Sequence, residues 1–190
     1  MADRKAHNRR EKGFIFYHGE RTAKLSINLR KRLIPNDDFM DEIIYTSALF
    51  HDIGKGIEPH NEIGAVLAEN LLKGYCSSEE LDSIKNIIRF HNIRGNDCSC
   101  DWRIKIIQDA DILDHMGTIE IWMNFLYSAS EEASIDRSLK YWTSDEFHKS
   151  YDRLRKLLNY DLSMEVFDEK RKFLKKFVQR LEIELAGGLI

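Results

Sequence analysis

Apolar residues recur every three or four positions along most of this chain, and that period limits the fold more than any other feature. Ile15, Thr22, Leu25, Leu29 and Leu33 predict a helix over about Phe14 to Leu33, with His18 on the same stripe. Pro35 stops it within the loop Ile34-Pro35-Asn36-Asp37-Asp38, because proline cannot continue a helix. Phe39, Ile43, Ile44, Leu49 and Phe50 describe a strongly buried helix running into His51. Glu58-Pro59-His60 opens the next, with Ile63, Val66, Leu67, Asn70 and Leu71 on its face and Gly74 at its end. Ser77 and Glu80 have capping-box spacing before a helix of Leu81, Ile84, Ile87 and Ile88 that leads to His91. A polar loop from Asn92 to Asp101 precedes a helix from Trp102, with Ile104, Ile107 and Asp111 on one face. Ile119 to Leu126 is another apolar helical run, whereas Ser128 to Ser144 is polar and reads as a lid-like connection. Phe147, Tyr151, Leu154 and Leu158, then Phe167, Leu174, Val178 and Leu181, mark two closing helices, the second ending near Gly187-Gly188. No stretch alternates convincingly with period two, and the 190 residues include only 2 prolines, so the expected fold is an all-α helical bundle.

The stretch with most chemistry is Ala48-Leu49-Phe50-His51-Asp52-Ile53-Gly54-Lys55-Gly56. An imidazole and a carboxylate side by side make a mixed N/O donor set for a divalent ion. Adjacent helical residues point about 100° apart, so the pair meets one ion most easily where a helix ends and bends. Gly54 and Gly56 can supply that bend, although a histidine at a helix C-terminus is also favoured by the helix dipole alone. Asp111 lies on a core stripe, where a carboxylate is rare unless paired or bound to a metal. His18 lies on another core stripe, where a satisfied core histidine is the plainer reading. Together His18, His51, Asp52 and Asp111 would give four N/O ligands from facing helices and leave positions open for water and substrate.

Charge and cysteines exclude other classes. A formal net charge of -3 does not suit a nucleic-acid binder, which needs a basic stripe. No apolar run is long enough to span a bilayer, and the polar N-terminus lacks a signal-peptide h-region, so a cytoplasmic location is expected. Cys76, Cys98 and Cys100 are an odd set without C-x-x-C spacing and read as free thiols with no role. There is no P-loop and no serine nucleophile elbow.

The order His18, His51-Asp52, Asp111 over successive helices resembles the HD-domain superfamily of metal-dependent phosphohydrolases. Ala48 to Lys55 and Gln108-Asp109-Ala110-Asp111-Ile112-Leu113-Asp114 resemble its two signature segments, and the likeness covers about Phe14 to Gly117. Within the superfamily the chain is similar to small stand-alone bacterial HD proteins, some of them nucleotide pyrophosphohydrolases. A chain of 190 residues suits a single domain, so one HD-type domain is expected over residues 1–190: a charged segment 1–12, the HD core 14–117 that the resemblance covers, and C-terminal helices 118–190, which carry no matching motif, packed on it.

By resemblance, His18, His51, Asp52 and Asp111 take the metal positions, with Asp109 and Asp114 as alternatives otherwise read as surface charge or ligand support. Mn, Fe, Co, Ni, Mg and Zn all suit such a set to differing degrees. Asp52 and Lys55 are the expected catalytic pair, and Lys55, Arg21, His60 and His91 the expected phosphate contacts. Arg89 and Arg94 flank His91 and would serve phosphates or solvate a loop. His60 and His91 also stand much as in HD members that hold a second metal, although His60 follows Asp52 by only eight residues. Trp102, Trp122, Tyr127 and Trp142 could stack on a base but read as core.

The expected activity is hydrolysis of a phosphoester or phosphoanhydride in a nucleotide or other small phosphorylated metabolite by a metal-activated water. Neither a nucleic-acid polymer nor a membrane is an expected partner, and the oligomeric state stays open. Two other readings remain: a di-iron oxygenase using His60 and His91, and a non-catalytic sensor binding a nucleotide or partner. A cyclic-dinucleotide hydrolase would carry a Gly-Tyr-Pro signature, which is absent.

Overall fold

The structure, a computed structural model, describes residues 10–94 and 101–189. Most of the charged N-terminal segment, together with Cys98 and Cys100, lies outside the described residues. Nine α-helices occur among the described residues: α1 (Phe14–Leu33), α2 (Asp41–Phe50), α3 (His60–Leu72), α4 (Ser78–Phe90), α5 (Trp102–Asp114), α6 (Thr118–Ser130), α7 (Ile135–Trp142), α8 (Asp145–Lys156) and α9 (Asp161–Leu185). No β-strand occurs among them beyond one isolated bridge between Lys73 and Cys76. None of the described helices is long and apolar enough to cross a membrane.

Helix α5 runs through the middle. Ile104, Ile106, Ile107, Ala110, Ile112 and Leu113 are buried around its circumference, as are the polar Gln108, Asp109 and Asp114. A helix buried on all sides must satisfy such polar groups internally. One apolar cluster joins Ala23 of α1, Ile44 and Ala48 of α2, Ile87 of α4, and Ile104 and Ile107 of α5. A larger one joins the other side of α5 to Trp142, Phe147, Tyr151, Phe167, Leu174 and Val178.

Two glycines set the distances on which the site depends. A Cβ on Gly19 would stand 2.4 Å from the Leu49 carbonyl oxygen, so only glycine lets α1 cross α2 this closely. A Cβ on Gly54 would stand 2.2 Å from the His60 carbonyl oxygen, so the turn after α2 packs directly on the start of α3. The sequence suggested Gly54 as a backbone bend; its requirement is close approach, and Gly56, with φ +94°, carries the unusual backbone. The Ser77–Glu80 capping box forms as its spacing predicts.

Several expectations change. Phe39 falls in a 3₁₀ turn before α2 and is 76% exposed rather than part of a buried helix. On α3 the buried face is Gly64, Ala65 and Ala68, while Val66 and Leu71 face outward. Close packing on the turn and α4 selects small residues there, which a hydrophobicity pattern passes over. Ser128 to Ser144 is no lid: α6 continues to Ser130, and α7 follows. Trp142 anchors α7 at 1% exposure, with its ring edge-on to Phe125 and Phe177. Trp122 is 54% exposed and is not core, whereas Trp142 from α7 packs against Phe177 of α9.

Candidate metal centre

The Gly19–Leu49 contact brings His18 of α1 against His51, which caps the C-terminus of α2; their ring centroids are 4.9 Å apart. Both side chains are fully buried. His51 Nδ1 donates to the Ala48 carbonyl at 2.6 Å, a bond that turns Nε2 inward. His18 Nδ1 lies 2.7 Å from Asp114 Oδ2, so its Nε2 is likewise the free donor. From α5, Asp111 Oδ1 lies 3.2 Å from His18 Nε2 and 3.7 Å from His51 Nε2. Asp52 Oδ2 closes the group at 4.0 Å from His18 Nε2 and 3.8 Å from His51 Nε2. The four residues expected as ligands therefore stand together.

Asp52 also faces a second set of groups. His60 Nε2 and His91 Nε2 lie 3.8 and 3.7 Å from its Oδ1, and Lys55 Nζ lies 3.1 Å from its Oδ2. His91 is aimed like His51, with Nδ1 on the Ile88 carbonyl at 2.6 Å. The end of α4 that carries it is held by Gln108 Nε2 on the Phe90 and Ile93 carbonyls and by Asn61 Nδ2 on the Arg89 carbonyl. Five imidazoles consequently stand in file: His115, His18, His51, His91 and His60, with neighbouring centroids 4.6, 4.9, 5.1 and 5.5 Å apart.

The electrostatics follow from this crowding. Burial lowers His18, but Asp111 and Asp114 outweigh it and raise the imidazole to about 9. Burial pushes the Asp52 carboxyl up, yet His51, His91 and Lys55 hold it well below the usual carboxylate range. Asp111 is held low in the same way by His18 and His51. Burial lowers His91, against the pull of Asp52.

An ion fits this donor set. His18 Nε2, His51 Nε2 and His60 Nε2 are buried with no hydrogen-bond partner. Each such orphan costs about 1–3 kcal/mol unless something fills the space it faces. His18, His51 and Asp111 offer donor atoms within 4.8 Å of one another, and His51, Asp52 and His91 form a second such set. Imidazole nitrogens with ionised carboxylates suit a divalent transition metal.

The HD domain family model matches residues 15–116, from the first turn of α1 to just past α5, more than half of the chain. The protein belongs to the HD domain family. Among curated proteins, the HD chain is 30% identical over 83 residues to the uncharacterised YpgQ of Bacillus subtilis, a match spanning 44% of this chain and only 40% of that relative's length. The crystal structure of YpgQ with ADP superposes with TM-score 0.66 and 24% identity over 90% of this chain and 89% of that one. An HD-superfamily hydrolase from Bacillus thuringiensis superposes with TM-score 0.68 and 23% identity over 93% and 89%. At these identities the superpositions speak to fold.

Several charged residues of the HD core have partners that the sequence did not indicate. Arg21, expected among the phosphate contacts, has Nε and Nη2 on Asp114 at 2.9 and 3.2 Å and Nη1 on Glu11 at 2.9 Å. Its guanidinium holds the carboxylate that orients His18. Asp114 is thus a buried support for His18, whereas Asp109 points elsewhere and accepts the backbone N–H groups of Asn159 and Tyr160 at the start of α9. Arg94 donates to Asp111 Oδ2 at 2.7 Å and to the Gln108 carbonyl at 2.8 Å, turning Asp111 Oδ1 toward the histidines. Arg89 pairs with Glu62 on the surface. His115 escaped sequence reasoning altogether. Its position four residues after Asp111, on the same helical face, was the available signal.

Proposed function

We propose that this HD protein is a metal-dependent phosphohydrolase that cleaves a phosphoester or phosphoanhydride bond in a nucleotide or another small phosphorylated metabolite. The observation that carries the reading is the pair of fully buried histidines whose partnerless Nε2 atoms face two carboxylates held in the ionised state. His18, His51, Asp52 and Asp111 would hold the ion, which when bound supplies Lewis-acid polarisation of a phosphoryl oxygen and activation of water.

The protein's own residues do the rest. Lys55, with its side chain about half exposed beside Asp52, offers an ammonium to the incoming phosphate. His60, at the edge of the file and 13% exposed, offers a second contact, while the nearly buried His91 holds Asp52 from within. Asp114 and Arg21 keep His18 in the tautomer and orientation that present Nε2. The ADP bound by YpgQ supports a nucleotide as the substrate class.

The second donor set of His51, Asp52 and His91 favours one further reading, a two-metal site. The test reloads metal-free protein separately with Mn, Mg, Co, Ni, Zn and Fe(II) and follows phosphate and pyrophosphate release from nucleoside mono-, di- and triphosphates. Turnover that disappears in Asp52→Ala supports the hydrolase. A firmly bound ion with no turnover on any of these compounds would refute it, and two bound irons that oxidise in air would replace it with an oxygenase.

A further inference from the structure

The file of five imidazoles has two ends, and both reach toward solvent. His18 and His51 are fully buried in its middle, whereas His60 at one end is 13% exposed and His115 at the other is 33% exposed. His115 caps the C-terminus of α5. Its ring lies against His18, with centroids 4.6 Å apart, and against Phe14 at 6.0 Å. These two contacts fix the plane of the imidazole. The Arg10 guanidinium lies 4.4 Å over the Phe14 ring and adds positive charge on this side.

His115 Nε2 is 3.8 Å from Asp111 Oδ1, the same oxygen that His18 and His51 face. It nevertheless stands outside both sets of donor atoms that gather within 4.8 Å. A nitrogen near the oxygen that the two buried histidines face, outside both donor sets and on a side chain one-third exposed, is placed to meet whatever enters between the ion and solvent. On the phosphohydrolase reading, on which this inference rests, that group is a phosphoryl oxygen.

We infer that His115 is a substrate-binding residue that donates a hydrogen bond from its ring N–H to a phosphoryl oxygen on the α1–α5 side of the site. Lys55 and His60 grip the phosphate group from the Asp52 side. The contact needs an N–H at the Nε2 position and an anionic oxygen, so a nucleoside diphosphate and inorganic phosphate are both suitable probes.

Two variants separate binding from packing. His115→Phe keeps an aromatic ring against His18 and Phe14 but has no N–H; His115→Gln carries an amide N–H near the Nε2 position. Calorimetry would follow binding of Mg²⁺ or Mn²⁺, and then of ADP and inorganic phosphate to the Mg²⁺-loaded protein. Expected are unchanged ion affinity in both variants, ADP and phosphate binding weakened roughly tenfold in His115→Phe, as for loss of one hydrogen bond to a charged group, and substantial recovery in His115→Gln. Where turnover is measured, KM should rise in His115→Phe. Wild-type affinity for both probes in His115→Phe would overturn the inference and leave the hydrolase reading standing. Loss of the ion in both variants would overturn it too, making His115 part of the ion's support. Wild-type protein that binds its ion but neither probe, and releases no phosphate, would overturn both readings.

Discussion

Glu120 is the ionisable group outside the metal centre whose environment has the clearest consequence. It lies in the first turn of α6 and accepts a hydrogen bond from the hydroxyl of the buried Tyr151 of α8. Burial pushes its carboxyl from 4.5 to about 7, against the hydrogen bonds from Tyr151 and Gly117. The folded protein therefore keeps this proton over a range where the unfolded chain has lost it. Stability from this group is fully present below about pH 4.5, falls as pH rises, and is lost above about pH 7. At about 1.4 kcal/mol per pH unit the ceiling is near 3 kcal/mol, and partial solvent contact reduces it to about 2 kcal/mol. Glu120→Gln keeps an acceptor for Tyr151 and cannot ionise. Urea unfolding of both proteins at pH 5, 6, 7 and 8 isolates the effect, because every other titrating group cancels in the difference. The variant should gain about 2 kcal/mol on the wild type between pH 5 and 8. A difference that does not change with pH would show that Glu120 is already ionised in the fold, and the reasoning would fail.

Other expectations follow from particular contacts. Gly19→Ala places a Cβ against the Leu49 carbonyl, so α1 and α2 must separate; we expect about 1–3 kcal/mol of destabilisation in urea and weaker Mn²⁺ binding by calorimetry, because His18 and His51 move apart. Asp109→Ala strands the N–H groups of Asn159 and Tyr160 and should lose about 2–4 kcal/mol in the same assay, while ion affinity stays as in the wild type. Trp142→Ala should lose about 3–5 kcal/mol and Trp122→Ala under about 0.5 kcal/mol, a contrast that thermal unfolding can read directly. Divalent ion at about 100 times its dissociation constant should stabilise the protein by about 2.7 kcal/mol, and EDTA or Asp111→Ala should abolish that gain in a melting experiment.

How much of this was legible in the sequence depends on the range of the interaction involved. Helix period is local: the stripe from Ile15 to Leu33 predicted α1 to its ends, and Ser77 with Glu80 predicted a capping box that forms. The resemblance of His18, His51-Asp52 and Asp111 to a family pattern named residues that the fold brings together. Patterning failed where burial depends on a distant element. Trp122 and Trp142 both read as core, and only the packing of α7 on α9 shows that Trp142 is buried while Trp122 is exposed. Polarity of the surrounding stretch misled over α7, a short helix that Leu139 and Trp142 dock on the core.

Most helices and the donor chemistry were legible along the chain, because dihedral preference, apolar period and ligand type belong to each residue and its near neighbours. Tertiary structure alone decided what each charged group is for. Arg21 turned out to hold Asp114, Arg94 to hold Asp111, Asp109 to hold the start of α9, and His115 to close the file of imidazoles. Those roles depend on atoms a few ångströms apart in space but 17 to 96 positions apart along the chain in the cases of Arg94 with Asp111 and His18 with Asp114. Such neighbours arise where separate elements meet, as α1 meets α2 at Gly19, and the spacing of residues along one helix carries no record of it.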